Sequence, residues 1–333
     1  MSRPRIFVTQ PVAQSALARL ERIADVDLNP DTAHIATQDE LLNAVRSHDL
    51  LFCLLHDRVD RDVIAANPAL KAIASMKITP SDIDVEEATR RRIPVTVIPP
   101  IVTEATADLH MALLLAVARR VLEGDKLVRA GIFPGAQSQH LEGVLLADKV
   151  LGLIGGGGRI GRAVARRARG FGLKLIYSSP RRKPEAELEL GMAYVPLDQL
   201  LRDADFVSVH TPLTPETRHQ IGEREIALMK RGAFIVNTAR GPIIDESALA
   251  RALVERRIAG AGLDVFENEP QIDSRLLALP NVVLTPHLGS AARELREVMA
   301  NIVVDNILAV LEGREPPNCW NREIYAAPAG GRA

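Results

Sequence analysis

Short β-branched runs alternate with longer helical patterns almost from one end of this 333-residue chain to the other. A first series of strands is expected at Arg5–Thr9, Leu50–Leu55 and Lys71–Ser75, with helices at Ala13–Ala24 and Gln38–Ser47. A second series is expected at Val150–Ile154, Lys174–Tyr177, Phe206–His210, Ala233–Thr238, Ala259–Val265 and Asn281–Thr285, with helices such as Ile160–Gly170 and Glu246–Arg256 between them. Antiparallel strands can be joined by a tight turn, whereas strands that alternate with helices build βαβ units and parallel sheets. The chain is too long for one ordinary core, so the two series predict an α/β protein of two domains, each a doubly wound parallel sheet. The breakers Pro99-Pro100 precede a long helical pattern, Glu104–Ala130, that reads as a connector, and the helical pattern Ala292–Glu312 can carry the chain back. The first domain is therefore expected to be discontinuous, 1–100 with 290–333, and the second, 101–289, to be inserted into it. The final stretch, AAPAGGRA, reads as mobile.

The stretch from Val150 to Gly161, VLGLIGGGGRIG, passes from an apolar strand through a glycine-rich turn into a helix opened by Arg159 and Ile160. Gly156, Gly158 and Gly161 fit the spacing G-x-G-x-x-G, with four consecutive glycines leaving the register open by one residue. The first glycine permits the tight turn, the second lets a pyrophosphate approach the backbone, and the third allows the helix close to the strand. The helix N-terminus attracts the phosphate charge. A strand before and a helix after point to a Rossmann-type dinucleotide site. The next strand speaks to cofactor type, because an NAD site expects an acidic residue there to hold the ribose hydroxyls. Here Lys174–Tyr177 runs into Ser178-Ser179-Pro-Arg181-Arg182-Lys183, with no acid until Glu185. Ser179, Arg181 and Arg182 suit a 2′-phosphate, so NADP(H) is favoured over NAD(H). A solvated basic turn is the other reading of the same residues.

Three later strands each deliver a polar residue at their carboxyl end: Arg240 after one, Asp264 and then Glu269 after the next, His287 after the third. Ligands of open α/β sheets sit outside those ends, so a cation, an acid and an imidazole are expected along one crevice. Hydride addition to a ketone creates an alkoxide, which needs a proton donor. A carboxylate beside an imidazole favours its charged form, and arginine offers a planar, permanent clamp for a substrate carboxylate.

In these segments, and in Thr103-Glu-Ala-Thr-Ala-Asp-Leu109, Val209-His-Thr-Pro-Leu-Thr-Pro-Glu-Thr217, Asn237-Thr-Ala-Arg-Gly241 and Gly262-Leu-Asp-Val-Phe266, the chain resembles the D-isomer-specific 2-hydroxyacid dehydrogenases, above all their glyoxylate/hydroxypyruvate reductase branch. The resemblance implies a Rossmann-type cofactor domain inserted into a discontinuous flavodoxin-like substrate domain. It implies reduction of a small 2-keto acid to the D-2-hydroxy acid, with Arg240, Glu269 and His287 as the catalytic residues. Arg240 would hold the carboxylate and keto oxygen, His287 would be the acid–base, and Glu269 would orient it. Thr106, His210, Thr211, Pro212, Thr217, Thr238, Ala239, Asp264 and Gly289 would line the cofactor, Asp264 at the nicotinamide end. His56, Lys77, Ile78 and Thr79 would contact the substrate. A homodimer formed through the inserted domain is implied as well, for which the apolar stripe Leu109, Leu113, Leu114, Val117 and Val121 is the candidate surface.

One segment departs from the pattern. Family members carry a loop resembling A-V-G-Y-D-N that cradles the substrate carboxylate, and this chain has Lys77-Ile-Thr-Pro-Ser-Asp82 in its place. Lys77 reads either as a positive charge for a different anion or as a solvated loop lysine. Three functions follow: the keto-acid reductase, the same hydride chemistry on another small anion, and a cofactor-sensing interaction protein of the corepressor kind. A formal net charge of −1 offers no footprint for nucleic acid or an anionic membrane. The longest apolar run, Met111 to Ala118, is too short to span a bilayer, and the N-terminus lacks a signal core. Cys53 and Cys319 lie far apart, the histidines show no metal-ligand spacing, and a cytoplasmic enzyme without a metal is expected.

Overall fold

The computed structural model describes residues 3–326, so the AAPAGGRA tail lies, beyond Ala326, outside the described residues. The chain forms two compact units, one from residues up to 101 and from 292 onward, the other from 102–291.

In the first unit, β1 (Arg5–Val8), β2 (Asp25–Leu28), β3 (Leu50–Cys53), β4 (Ala72–Ser75) and β5 (Val95–Thr96) pair in the order β2-β1-β3-β4-β5. All four pairings are parallel, the flavodoxin-like order. β3 and β4 are buried on both faces, which is why β3 is an uninterrupted apolar run and β4 departs from one only at its last residue, the buried Ser75. The helices Gln38–Ser47 and Arg61–Ala65 cover one side through Leu41, Val45, Val63 and Ile64. The helix Arg293–Leu311 returns to this unit, and Arg19 ties it down by donating to Asn301 (2.9 Å) and Asp305 (2.6 Å). β2 and β5 escaped the sequence reading, β2 because Asp25 and Asp27 mask its apolar positions and β5 because it has two residues.

In the second unit, β6 (Val150–Ile154), β7 (Lys174–Ser178), β8 (Ala193–Tyr194), β9 (Phe206–Val209), β10 (Phe234–Asn237), β11 (Gly260–Leu263) and β12 (Val282–Leu284) form one parallel sheet. Its order is β12-β11-β10-β9-β6-β7-β8. The order reverses between β6 and β9, the switch point at which doubly wound sheets open a crevice.

The expected connector, Glu104–Ala130, is two helices, Thr103–Ala118 and Val121–Arg129. Arg120 takes the left-handed conformation (φ 55°) and grips Glu123 through two nitrogens (2.8 and 2.7 Å), so the hydrogen-bond ladder cannot run through. The stripe expected to form a dimer surface instead turns inward. Leu113, Leu114 and Val117 are buried in this unit's core and Leu109 packs against it, whereas Val121 is exposed. No helix among the described residues is long and apolar enough to cross a membrane.

Candidate active site

The glycine turn follows β6 at the switch point. Gly155 adopts φ +79°, and a Cβ there would stand 2.9 Å from the His210 carbonyl carbon at the end of the neighbouring β9. A Cβ on Gly161 would lie 2.7 Å from Gly156 Cα, so the helix Arg159–Gly170 leans directly on the turn. Gly158, the residue before that helix, supplies no side-chain cap, leaving first-turn amides for an anion. Arg159 is exposed and Ile160 packs on the core.

After β7, Ser179 Oγ donates to the Arg181 carbonyl (2.6 Å) and so shapes the basic turn. Arg182 is held by Glu187 in a two-nitrogen pair (2.8 and 2.7 Å), and Tyr177 donates its hydroxyl to the same carboxylate (2.8 Å). Arg181 is exposed, and the described residues form no ion pair with it. The stem of Lys183 lies over the glycine turn, its Cγ 2.5 Å from where a Gly157 Cβ would be. The sequence places Lys183 in the basic run; its approach to the glycine turn comes from the fold.

β10, β11 and β12 end level with one another, Asn237 beside Leu263 and Leu263 beside Leu284. Arg240, Asp264 and His287 therefore leave one edge of the sheet from three adjacent strands. Asn237, buried, accepts from Ala239 N (2.9 Å) and donates to the Arg240 carbonyl (3.0 Å), folding the turn that presents the exposed Arg240 side chain. The loop from Asp264 to Glu269 is pressed against this turn, since a Cβ on Gly241 would be 1.9 Å from the Phe266 carbonyl carbon.

Asp264 is buried, and burial raises its pKa against the opposing pull of its hydrogen bonds and of His287. Its carboxylate accepts from Thr285 Oγ1 (2.6 Å), Leu288 N (2.7 Å) and Gly289 N (2.9 Å), the last of these on Oδ2 alone. His287 sits inside that loop with φ 55°, its amide donating to the Asp264 carbonyl (2.9 Å). His287 Nδ1 meets Glu269 Oε2 at 2.9 Å, and Glu269 Oε1 accepts from Phe266 N (3.0 Å). A carboxylate can only accept from the ring, so Nδ1 carries the proton of this contact. Thr106, buried on the helix Thr103–Ala118, donates to the Gly289 carbonyl (3.0 Å) and pins the far side of the loop.

Other expected cofactor residues have structural duties. Thr217 Oγ1 donates to the Pro212 carbonyl (2.7 Å) and staples the loop after β9, while Thr211 Oγ1 reaches Gln220 at 3.4 Å. Thr238 Oγ1 is 3.0 Å from His110 Nδ1, and the Ala239 amide is held by Asn237. Sequence reasoning also missed Glu246 and Glu267, which accept each other's backbone amides (2.8 and 3.3 Å) and hold the segment leading to Glu269.

In the first unit, His56 lies in the turn after β3, and Lys77, Ile78 and Thr79 follow β4, its sheet neighbour. The reading of Lys77 as a solvated loop lysine does not hold. The side chain is buried and forms an ion pair with Asp82, so it is neither solvated nor an uncompensated charge. The carboxylate of Asp82 is held below its usual range by Lys77 against the pull of burial.

The residues of the second unit fit a dinucleotide. A Cβ on Gly156 would strike Leu153 and Tyr177 and one on Gly161 would strike Gly156, so only glycines let strand, turn and helix close up with the helix amides facing outward, and His210 Nδ1 is a buried polar atom without a hydrogen-bond partner. A doubly wound sheet so equipped, with a carboxylate–imidazole pair at its strand ends, is the build of an oxidoreductase that works with a dinucleotide. The family model described as D-isomer specific 2-hydroxyacid dehydrogenase, NAD binding domain, matches residues 111–289. A glyoxylate reductase of Thermococcus litoralis is 46% identical over 329 residues, covering 98% of this chain and 99% of that one. A crystal structure of a Thermus thermophilus protein, 45% identical, superposes with a TM-score of 0.86 over 95% of this chain and 99% of that one. An NADPH-dependent glyoxylate/hydroxypyruvate reductase of Sinorhizobium meliloti, solved with NADP and malonate, is 31% identical with a TM-score of 0.75 over 99% of this chain and all of that one. The chain belongs to the D-isomer-specific 2-hydroxyacid dehydrogenase family.

Proposed function

We propose that this enzyme reduces glyoxylate, hydroxypyruvate or a closely similar 2-keto acid to the D-2-hydroxy acid, with NADPH preferred over NADH. The observation that carries the reading is the Glu269–His287 contact beside the Arg240 turn, because it pairs a proton donor with a carboxylate clamp. The nicotinamide supplies the hydride when bound. The chain supplies everything else. Arg240 pairs with the substrate carboxylate and polarises the keto oxygen. His287 Nε2 gives a proton to the oxygen as it becomes an alkoxide, and in the reverse direction takes it back. Glu269 accepts from Nδ1 and so holds the ring in one orientation.

The second unit would hold the cofactor: Gly156, Gly158 and Gly161 with the helix amides at the pyrophosphate, Ser179, Arg181 and Lys183 at the adenosine end. Asp264 Oδ2 accepts one hydrogen bond, from Gly289 N, and has capacity for an amide donor at the nicotinamide end. The first unit would hold substrate through the residues after β3 and β4, His56 and Lys77 to Thr79. The Lys77–Asp82 ion pair argues against the alternative in which Lys77 serves a more highly charged anion. The Glu269–His287 geometry favours turnover over a purely cofactor-sensing role.

We also assign a homodimer. Phe133 (81% exposed), Leu145 (70%), Ile132, Val128 and Val121 leave the second unit with an apolar surface from the helix Val121–Arg129 onward. Both cysteines are free and buried, as a reducing cytoplasm leaves them. Initial rates with a panel of 2-keto acids, each with NADPH and NADH, test the assignment. The reading expects glyoxylate or hydroxypyruvate with NADPH to give the highest kcat/KM. Inactivity across the panel would overturn it.

A further inference from the structure

Behind the strand ends of the second unit lies a chain of polar groups that the chemistry above does not use. His110 on the helix Thr103–Ala118 and Ser208 on β9 are both fully buried. His110 Nδ1 is 3.0 Å from Thr238 Oγ1, His110 Nε2 is 2.5 Å from Ser208 Oγ, and Ser208 Oγ is 2.7 Å from His210 Nε2. The two rings also touch, with centroids 4.7 Å apart and a tilt of 49°. The far nitrogen, His210 Nδ1, is shut off from solvent and has no partner. One end of the chain is thus His210, beside the glycine turn, and the other is Thr238, two residues before Arg240.

Proton counting shows what such a chain can do. Burial drives both rings to the neutral form, His110 well below the ordinary histidine range and His210 to about 3. Each neutral ring has one N–H and each hydroxyl one O–H, so the Ser208 proton is used within the chain only when the three hydrogen bonds run in series, in one of two senses. In one, Thr238 donates to His110, His110 to Ser208 and Ser208 to His210, and His210 Nδ1 carries a proton to offer. In the other, every bond reverses, His210 Nδ1 offers a lone pair, and the Thr238 proton is released for another acceptor. If Ser208 instead accepted from both rings, its own buried hydroxyl proton would have no partner in the chain, so the sense at one strand end favours the same sense at the other. An orphaned buried nitrogen costs free energy until something meets it.

We propose that His110 and Ser208 are positioning residues for the bound dinucleotide, which satisfies His210 Nδ1 and thereby sets the sense of hydrogen bonding through to Thr238. This rests on the nicotinamide-cofactor reading above. The cofactor would fix the donor pattern beside Arg240 without contacting Arg240, an ordering step between cofactor and substrate.

The test uses the intact enzyme labelled with ¹⁵N-histidine, titrated with NADPH. The ring signals of His110 and His210 are assigned from His110→Gln and His210→Gln variants. The expected result is that both rings stay neutral and that their nitrogen shifts move together on saturation. Ser208→Ala should uncouple them, so that His110 no longer responds. It should weaken NADPH binding about five- to tenfold, the size of one lost hydrogen bond, with kcat at saturation nearly unchanged. Ser208→Thr, which keeps the hydroxyl, should restore coupling and affinity. A His110 signal that ignores NADPH in the unmodified enzyme overturns the proposal, even if Ser208→Ala fails to fold. So does a Ser208→Ala enzyme with unaltered NADPH affinity. Failure of the unmodified enzyme to bind either NADPH or NADH would instead strike the cofactor reading itself.

Discussion

Asp264 and Glu269 are both carboxylates at the strand ends, and their hydrogen bonds give them different work. Asp264 is surrounded by a hydroxyl and two amides of the loop that carries His287, so its charge holds backbone in place. Glu269 has one oxygen on an amide and the other on the His287 ring, so its charge bears on a proton. Replacing His287 by alanine should therefore cut kcat by ~10²–10⁴, the usual worth of positioned proton transfer. NADPH affinity should hardly change, because the loop is pinned by Asp264 and Thr106 rather than by the imidazole. Rapid-mixing turnover with a separate measurement of NADPH binding checks both halves; a variant that keeps most of its kcat would remove His287 from the mechanism. At this scale the sequence was legible in placement: Arg240, Glu269 and His287, singled out at three strand ends, leave adjacent strands of one sheet, and Glu269 meets His287. Asn237, Thr285 and Glu246 could not be found, because they matter only through partners that folding brings from other turns. The burial of Lys77 was hidden for the same reason: the ion pair with Asp82 depends on a loop conformation that residue types do not reveal.

At the scale of elements, the βαβ rhythm exposed most strands and the glycine turn, since β-branched runs and glycine spacing are local signals. The break at Arg120 was hidden because Ala118, Arg119 and Arg120 are themselves good helix formers, and left-handed backbone at one arginine has no compositional mark. Two turns carry predictions. The backbone of Phe266 passes so close to Gly241 that a methyl group has nowhere to go. Gly241→Ala should force the Arg240 turn away from the loop leading to Glu269, costing ~1–3 kcal/mol or more in overpacking and lowering both Tm and kcat. Calorimetry showing an unchanged Tm would contradict this packing. In the basic turn after β7, Arg182 is engaged by Glu187 whereas Arg181 is not. Arg181→Ala should raise KM for NADPH on the order of tenfold, as one lost charge-assisted contact implies, and leave KM for NADH alone. Parallel loss for both cofactors would show that Arg181 does not meet a 2′-phosphate.

For the whole molecule, two properties follow from how apolar and titratable groups are distributed. The exposed side chains of Val121, Val128, Ile132, Phe133 and Leu145 are concentrated in one stretch of the second unit, so light scattering at micromolar concentration should give twice the chain mass. Phe133→Asp should shift that mass toward the monomer, and a monomeric unmodified protein would defeat the assignment. The second property is acid sensitivity. In the unfolded chain His110 and His210 titrate near 6.5, whereas burial depresses both in the native state, His210 to about 3. Below pH 6.5 the unfolded chain therefore binds protons that the native protein refuses, so stability must fall as pH falls. Each pH unit is worth ~1.4 kcal/mol per ring, or about 2 kcal/mol each at pH 5. Glu40 and Glu87, whose carboxyls are lowered to about 2, act in the same direction but only below their unfolded value of 4.5. His34 is raised by Glu40, so its contribution is complete below 6.5 and is lost above it, outside this window. Asp264, raised by burial, offsets a part of the loss as it protonates. Between pH 6.5 and 5 the two buried rings therefore dominate, and Tm should drop over that interval. Removing one ring as His210→Gln should reduce the drop by about half, because the glutamine does not titrate. A Tm that is flat from pH 6.5 to 5 would mean that the unfolded chain gains no protons over the native one, and the rings would then have to be accessible rather than buried.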